Sequence, residues 1–460
     1  MGKLTFSMGG VHPHDSKYAR ECAIEELPLP QTVYVSMAQH LGAPAKPLVA
    51  VGDSVKVGQV IAEPGGFISA FVHSPVSGTV KAIAPRKDLA GNFVTHVEIA
   101  VEGDEWDPAI DRSKELVTAI PDDKAAILDK IKAAGVVGLG GATFPAHVKL
   151  NPAPGKVAEC LILNGAECEP FLTSDYRIMV ERPKEIVVGA AIMQKVLGGC
   201  QCVIGIEENK PEAIAAMGAA VRELGYPGIE VKVLKKRYPQ GGEKQLCQAI
   251  TGKQVPPGGL PSAIGCAVFN INSVCSIYKA VTTGMPVVKK VVTVSGSGVN
   301  EPKNLECPIG TPVSLLFDAC GGLKDNTFKI IAGGPMMGMA QYTADISVAK
   351  GTGALLAFAG DENKVSDNPT CIRCGRCVDA CPMHLQPLYL YMYVQKGLVD
   401  ELNANNIMDC MECGACAYIC PGRLHLTQSF KAGKQMVKDD AAKKKAAAEA
   451  AKAAEEKKGA

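Results

Sequence analysis

Between residues 48 and 84, apolar and polar positions alternate with a period of two, broken at Gly52–Asp53, Gly58 and Ser77–Gly78. Such alternation sends successive side chains to opposite faces, so turn residues at these intervals predict short antiparallel hairpins. From about residue 122 to 288 the period changes. Apolar residues at helical spacing predict helices over 125–134, over 183–197 with Pro183 in the first turn, and over 211–224. Between them, 157–163 (ending at Asn164) and 202–206 read as buried strands. Helices alternating with apolar strands predict a parallel sheet covered by helices. Residues 290–340 differ again. Two β runs there flank one helix over 312–320, a small β-grasp-like α+β unit. Residues 439–460 are nearly all Ala, Lys and Glu. They combine high helix propensity with no apolar stripe, which predicts a solvated, frayed helix or a disordered tail rather than a basic docking arm.

No run of about 18 uninterrupted apolar residues occurs, so no membrane-spanning helix is expected. The best candidate, 186–206, is broken by Gln194, Lys195 and Gln201 and reads as helix then strand. The start, MGKLTFSMGG, lacks the basic and apolar regions of a secretory signal, and Phe6 breaks a myristoylation pattern. With 460 residues the chain is expected to form three or more domains, and 48 glycines with 30 prolines predict many turns. A formal charge of +1 argues against a general nucleic-acid binder.

Chemistry enters with the cysteines. Cys371, Cys374, Cys377 and Cys381–Pro382 repeat as Cys410, Cys413, Cys416 and Cys420–Pro421, each run being C-x₂-C-x₂-C-x₃-C-P. That is the spacing of bacterial two-cluster ferredoxins: three thiolates on a tight loop reach three irons of one cube, and the fourth ligates the other cluster. The proline keeps the loop from continuing as helix. One cluster is therefore assigned to Cys371, Cys374, Cys377 and Cys420, and the other to Cys410, Cys413, Cys416 and Cys381. Structural zinc sites also take four cysteines but come as separated C-x₂-C pairs, so iron–sulfur is the stronger reading. The other ten of the 18 cysteines show no paired framework and read as small apolar core residues, as expected in a reducing, cytoplasmic setting.

The sequence GVVGLGGATFPAHVKL at 135–150 is glycine-rich inside the predicted parallel-sheet domain. Gly138, Gly140 and Gly141 would let backbone amides approach a phosphate or a flat ring, since no Cβ intervenes. The pattern is not the dinucleotide G-x-G-x-x-G. Beside two iron–sulfur clusters it reads as a flavin cradle, because flavin converts a two-electron hydride donor to one-electron carriers.

Three further segments follow in order: NGAECEP (164–170), YPQGGEKQL (238–246) and FNINSV (269–274). Together with the loop they resemble the FMN- and NADH-binding segments of the flavoprotein subunit of respiratory complex I. The opening GGVHPHDSKY, the hairpin unit and the doubled cysteine run are more similar still to the NADH-oxidising subunit family of the Rnf electron transport complex. The hairpin wording VGDSVKVGQ…SPVSGTV also resembles lipoyl and biotinyl carrier domains. A carrier needs a lysine at the hairpin tip, where this chain has Gly65, Gly66, Phe67, Ile68 and Ser69, so a structural barrel-sandwich unit is expected.

The resemblance implies a multidomain α/β and α+β architecture. It comprises an N-terminal region with the barrel-sandwich unit (1–115), a Rossmann-like FMN/NADH domain (116–288), and a β-grasp, SLBB-like unit (289–360). A ferredoxin-like helical domain with two [4Fe–4S] clusters (361–432) and the tail (433–460) complete it. It further implies non-covalent FMN held by Gly138, Gly140, Gly141, Lys149, Asn164, Tyr238, Gly241, Asn272 and Ser273. Phe144 would stack on the NADH adenine, and Glu167, Glu169 and Glu243 would lie near the reacting rings. Leu139, Thr143, Ala166, Gly242 and Ser273 depart from the complex I pattern, which carries Arg, Gly, Asp, Glu and Asn there. Gly141-Ala142-Thr143 lacks the preceding serine of a covalent FMN attachment sequence.

His12, His14, His147, His384 and His425 are expected to be structural, and Lys210, after a buried strand, is a candidate nucleotide contact. The implied activity is NADH oxidation, with electrons passing through the clusters to partner subunits and ferredoxin, coupled to Na⁺ or H⁺ transport. The implied location is peripheral, on the cytoplasmic face of the membrane. A cobalamin reductase of the propanediol-utilisation type shares this architecture and is the alternative. A flavin-free electron relay is a third reading.

Overall fold

The computed structural model describes residues 3–113, 115–152, 155, 157–360 and 369–458, with side chains up to 449. The hairpins of the N-terminal region form two sheets. One pairs Thr32–Ser36, Phe93–Val101, Gly78–Lys87 and Ser54–Val55; the other pairs Lys46–Pro47, Val60–Glu63 and Val72–His73. Their inward valines and isoleucines, among them Val33, Ile61, Val80 and Ile99, close one small core. This is the barrel-sandwich unit.

The central domain holds an all-parallel sheet in the order Ile229–Leu234, Gln201–Glu207, Cys160–Gly165, Cys266–Asn270. In chain order these are its third, second, first and fourth strands. The direction of strand addition therefore reverses between Cys160–Gly165 and Cys266–Asn270, and ligands of open parallel sheets bind at the carboxyl end of such a reversal. The strands are apolar because helices cover both faces. Pro183–Val196, which carries the longest apolar run, is buried for most of its length between neighbouring helices. Three further helices, Ser174–Glu181, Glu243–Thr251 and Ile271–Thr282, were not foretold by the apolar periodicity.

A six-stranded mixed sheet follows, in the order Ile24–Glu26, Lys303–Pro308, Lys289–Ser295, Ala354–Ala359, Thr327–Ala332, Met339–Gln341, with the helix Val313–Asp318 against it. Its edge strand comes from the N-terminal region, which thus adds a strand to this sheet besides forming the barrel-sandwich core. Ile24–Glu26 pairs with Asn304–Glu306, while Leu4 and Val11 bridge Leu234 and Tyr238 of the central domain.

The expected start of the ferredoxin-like domain, residues 361–368, lies outside the described residues. Within it the duplication is written in the backbone. Arg373, Gly375 and His384 are left-handed, and so are Glu412, Gly414 and Arg423 at the equivalent places of the second run. Short helices Arg376–Asp379 and Ala415–Tyr418 carry the third cysteine of each triplet, Cys377 and Cys416. The tail is neither frayed nor disordered over its described length: one helix runs from Leu426 to Lys458. Leu426 and Phe430 bury its first turns against the cluster domain, and once nucleated an Ala-rich helix propagates on propensity.

Candidate flavin and iron–sulfur site

The glycine-rich loop closes on itself through Gly138 N–H to the Phe144 carbonyl (2.9 Å) and Thr143 N–H to the Gly138 carbonyl (3.1 Å). Thr143 sits at φ +48°, a left-handed conformation that explains why glycine is usual there. Leu139, where complex I has arginine, is buried in the core. Its N–H donates to Ser273 Oγ (2.7 Å), and its carbonyl accepts from the buried Lys290 (2.8 Å). Ser273 thus braces the loop from below. Gly140 backs onto the Asn270 side chain, where a Cβ would come within 2.9 Å, whereas a Cβ at Gly141 would meet nothing within 4 Å. The loop therefore has a packed back and an open front.

The packed side meets the strand reversal. Asn270 ends the fourth strand and pairs in register with Asn164, one residue before the end of the first. Asn270 accepts from Asn272 N–H (2.9 Å) and caps the helix Ile271–Thr282. Asn272 itself is buried with its amide nitrogen unpartnered. An orphaned donor at the start of a 12-residue helix, where free N–H groups and the dipole favour an anion, fits a flavin phosphate. Asn164 donates to the Gly241 carbonyl (2.9 Å), tying the first strand to the 238–246 segment. Lys149 and Glu243 form a half-exposed pair at 2.8 Å, and the Lys149 ammonium lies 5.2 Å from the Phe269 ring centroid. Phe144 is partly buried, its carbonyl held by Gly138.

The two other acidic candidates are placed differently. Glu167, at φ +45°, accepts from Asp175 N–H (2.7 Å) and Tyr176 N–H (3.3 Å), the first turn of Ser174–Glu181. Glu169 is half-buried and accepts from Met336 and Met337 N–H (3.0 Å each) and from the Tyr238 hydroxyl (3.3 Å). Burial pushes its carboxyl up to about 7, against the lowering pull of those three donors. Tyr238 donates as well to the Cys413 carbonyl (2.7 Å). One carboxylate and one phenol thus link the central domain, the 334–337 loop and a cluster loop. Lys210, the candidate nucleotide contact, has a buried ammonium that donates to the Ala166 carbonyl (2.6 Å) beside Glu207.

The cysteines group as their spacing predicts. Cys381 lies with Cys410, Cys413 and Cys416, lining one cavity, and Cys377 lies with Cys371 and Cys420. Backbone N–H groups of Arg373, Leu385 and Glu412 approach Cys371, Cys381 and Cys410 sulfurs at 3.4 Å, as cluster sulfurs require. The two sites differ in exposure. Cys413 is buried with Val11 and Tyr238 and Cys416 in the cluster domain's own core, whereas Cys374 is exposed beside Ile372. Gly242 shows the closeness: a Cβ there would come within 2.7 Å of the Met411 methyl, so a larger residue would have to push the Met411 side chain aside.

Comparison with known proteins agrees with this layout. Family models match for the RnfC barrel sandwich hybrid domain over 4–105, the Nuo51 FMN-binding domain over 131–279, an SLBB domain over 291–340 and a 4Fe-4S dicluster domain over 363–421. Three relatives are the corresponding subunits of ion-translocating complexes. That of the Na(+)-translocating ferredoxin:NAD(+) oxidoreductase of Acetobacterium woodii is 42% identical, covering 93% of this chain and 96% of its own. That of the proton-translocating ferredoxin:NAD(+) oxidoreductase of Clostridium ljungdahlii is 43% identical over 87% of each chain. That of the ion-translocating oxidoreductase of Rhodobacter capsulatus is 43% identical, covering 93% of this chain and 82% of its own. With a barrel-sandwich unit, a flavin cradle and a doubled cluster motif in this order, the chain belongs to the RnfC family of the ion-translocating oxidoreductase complexes.

Proposed function

We propose that this chain is the NADH-oxidising subunit of a ferredoxin:NAD⁺ oxidoreductase complex, peripheral on the cytoplasmic face of the membrane. The observation that carries the reading is an open glycine cradle at a strand reversal, with the 238–246 segment that Asn164 ties to it packed through Tyr238 and Gln245 on the loops of one four-cysteine site. Bound in the cradle, FMN supplies the conversion of a hydride from NADH into single electrons. The protein's own residues do the holding. Asn272 and the helix start behind it receive the phosphate, while Ser273 and Lys290 fix the loop through Leu139. Lys149 and Glu243, paired at the open side, are placed to orient the nicotinamide nucleotide. The buried cysteine set, nearest the 238–246 segment, receives electrons first, and the exposed Cys374 side passes them to a partner subunit and on to ferredoxin.

None of the described helices is long and apolar enough to cross a membrane, which assigns the ion step to other subunits of the complex. Relatives at nearly equal identity are named for Na⁺ and for protons, so overall similarity does not select the ion. The test is anaerobic purification, flavin and iron counts, and an NADH titration followed by absorbance and EPR. One flavin and about eight irons per chain, with flavin bleaching and cluster signals on NADH addition, are expected. A protein without flavin, or one that NADH does not bleach, is an electron relay instead. Reduction of cob(III)alamin without membrane partners would favour the cobalamin reductase.

A further inference from the structure

Residues 6–17 belong to none of the sheets, yet they bind the three parts that electrons must cross. Val11 exchanges backbone hydrogen bonds with Tyr238 in both directions (2.8 and 2.9 Å), and Gly10 N–H donates to the Ala380 carbonyl (2.9 Å). The Arg237 guanidinium forks onto the Phe6 and Gly9 carbonyls and lies 4.4 Å from the Phe6 ring centroid. Further along, the Lys17 ammonium is buried among the carbonyls of Glu167, Glu169 and Leu172 (2.9, 2.9 and 2.6 Å).

Two glycines carry the closest approaches. Gly9, at φ +76°, would place a Cβ 2.5 Å from the carbonyl oxygen of Cys381, and Gly10, at φ +83°, 2.7 Å from that of Tyr238. Both neighbours are backbone, so a side chain at Gly9 must displace the turn that carries Cys381, and one at Gly10 the backbone of Tyr238. The segment is a wedge between the flavin-binding segment and the Cys381 turn.

We propose that residues 6–17 form a strap that sets how closely the cluster of Cys381, Cys410, Cys413 and Cys416 is held on the 238–245 segment. Gly9 and Arg237 are then positioning residues for electron exit from the flavin. The inference rests on the proposed NADH-oxidising function and adds to it the residues that fix the first outward step. In that step the reduced flavin, which received a hydride from NADH and a proton, gives up two electrons one at a time and two protons. Each electron reduces one oxidised cluster by one unit.

The test compares the anaerobic holoprotein with Gly9→Ala, Arg237→Lys and, as a control, Gly52→Ala. Gly52 has φ +98° with no neighbour within 4 Å of a Cβ, so it reports backbone strain alone. Lysine keeps the charge at 237 but has no planar fork to span two carbonyls. Flavin bleaching and cluster reduction after mixing with NADH are timed separately, and EPR spectra are taken after dithionite reduction. In Gly9→Ala and Arg237→Lys, bleaching should stay within about twofold of wild type while cluster reduction slows about tenfold or more. The EPR signal of one cluster should change and the other remain, and Gly52→Ala should alter neither.

Loss of one cluster with flavin retained is the stronger form of the same result. Should Gly9→Ala not fold, Arg237→Lys decides alone. Wild-type cluster kinetics and spectra in the strap variants overturn the proposal, as does an equal slowing of bleaching and cluster reduction. If NADH fails to bleach the wild-type flavin, the functional reading falls instead, and the dithionite spectra still judge the strap.

Discussion

Lys350 is 1% exposed and donates to the carbonyls of Phe71 (2.9 Å) and Gly135 (2.7 Å), where the barrel-sandwich unit meets the start of the flavin loop. Burial lowers its pKa from 10.5 to about 7. His40 and His73 face it, both held below the usual histidine range by burial first and by the Lys350 charge second. The folded chain therefore releases this proton near pH 7, whereas the unfolded chain keeps it until about 10.5. Between those values the unfolded state binds more protons, so stability rises with pH. Lys350→Met removes that slope. It leaves two carbonyls unpaired at a cost of about 1–3 kcal/mol each at any pH, but the midpoint gap to wild type should widen from about pH 7 to about pH 10. Thermal midpoints measured across that range check it, and a constant gap refutes it. At the cradle, Asn272→Ala should weaken FMN binding about tenfold or more, since a hydrogen bond to a charged group contributes about 1.5–3 kcal/mol. The apo protein should lose nothing, because that amide nitrogen has no partner to forfeit. Flavin titration and the apo midpoint separate the two effects.

At the scale of elements, the helix Ser174–Glu181 begins at Thr173, whose side chain makes no cap bond. Glu167 supplies the missing acceptor from upstream, bonding two first-turn N–H groups. Glu167→Ala should then cost about 1–2 kcal/mol of stability, a cap loss rather than a purely chemical one. Unchanged stability with abolished NADH turnover would give Glu167 back to the reacting rings. Sequence spacing could not have shown this bond, because only the fold returns the carboxylate to the helix start. The same holds for Lys17, which reads as a solvated lysine in HPHDSKY until three carbonyls from another segment close around its ammonium. It holds again for Ile24–Glu26, whose partner strand lies far along the chain. What sequence did disclose is local: helices and strands with a sustained period, the glycine loop, and cysteine triplets whose spacing is itself the geometry. Near the cradle the loop and two of the four strands were legible, whereas the strands Ile229–Leu234 and Cys266–Asn270, the helices that carry Glu243 and Asn272, and the contacts between domains were not.

At the scale of the molecule, the crossed ligands and the unequal exposure of the two cysteine sets make one joint prediction. Cys420 lies with the first triplet and Cys381 with the second. Cys381→Ala should therefore damage the cluster on Cys410, Cys413 and Cys416, which is packed on the central domain, and Cys420→Ala the one around exposed Cys374. The order of electron flow makes these losses unequal. Without the inner cluster, NADH should bleach the flavin but leave the outer cluster oxidised on the turnover timescale. Without the outer cluster, NADH should still reduce the inner one, while delivery to an external acceptor stops. Iron counts should fall by about four in each variant, which excludes general unfolding as the cause. EPR after NADH, set against EPR after dithionite, reads which cluster is present and which is reached. If Cys381→Ala left NADH reduction of the remaining cluster at the wild-type rate, the buried set would not be the first acceptor. The packing of Met411 and Tyr238 between cradle and cluster would then need another purpose.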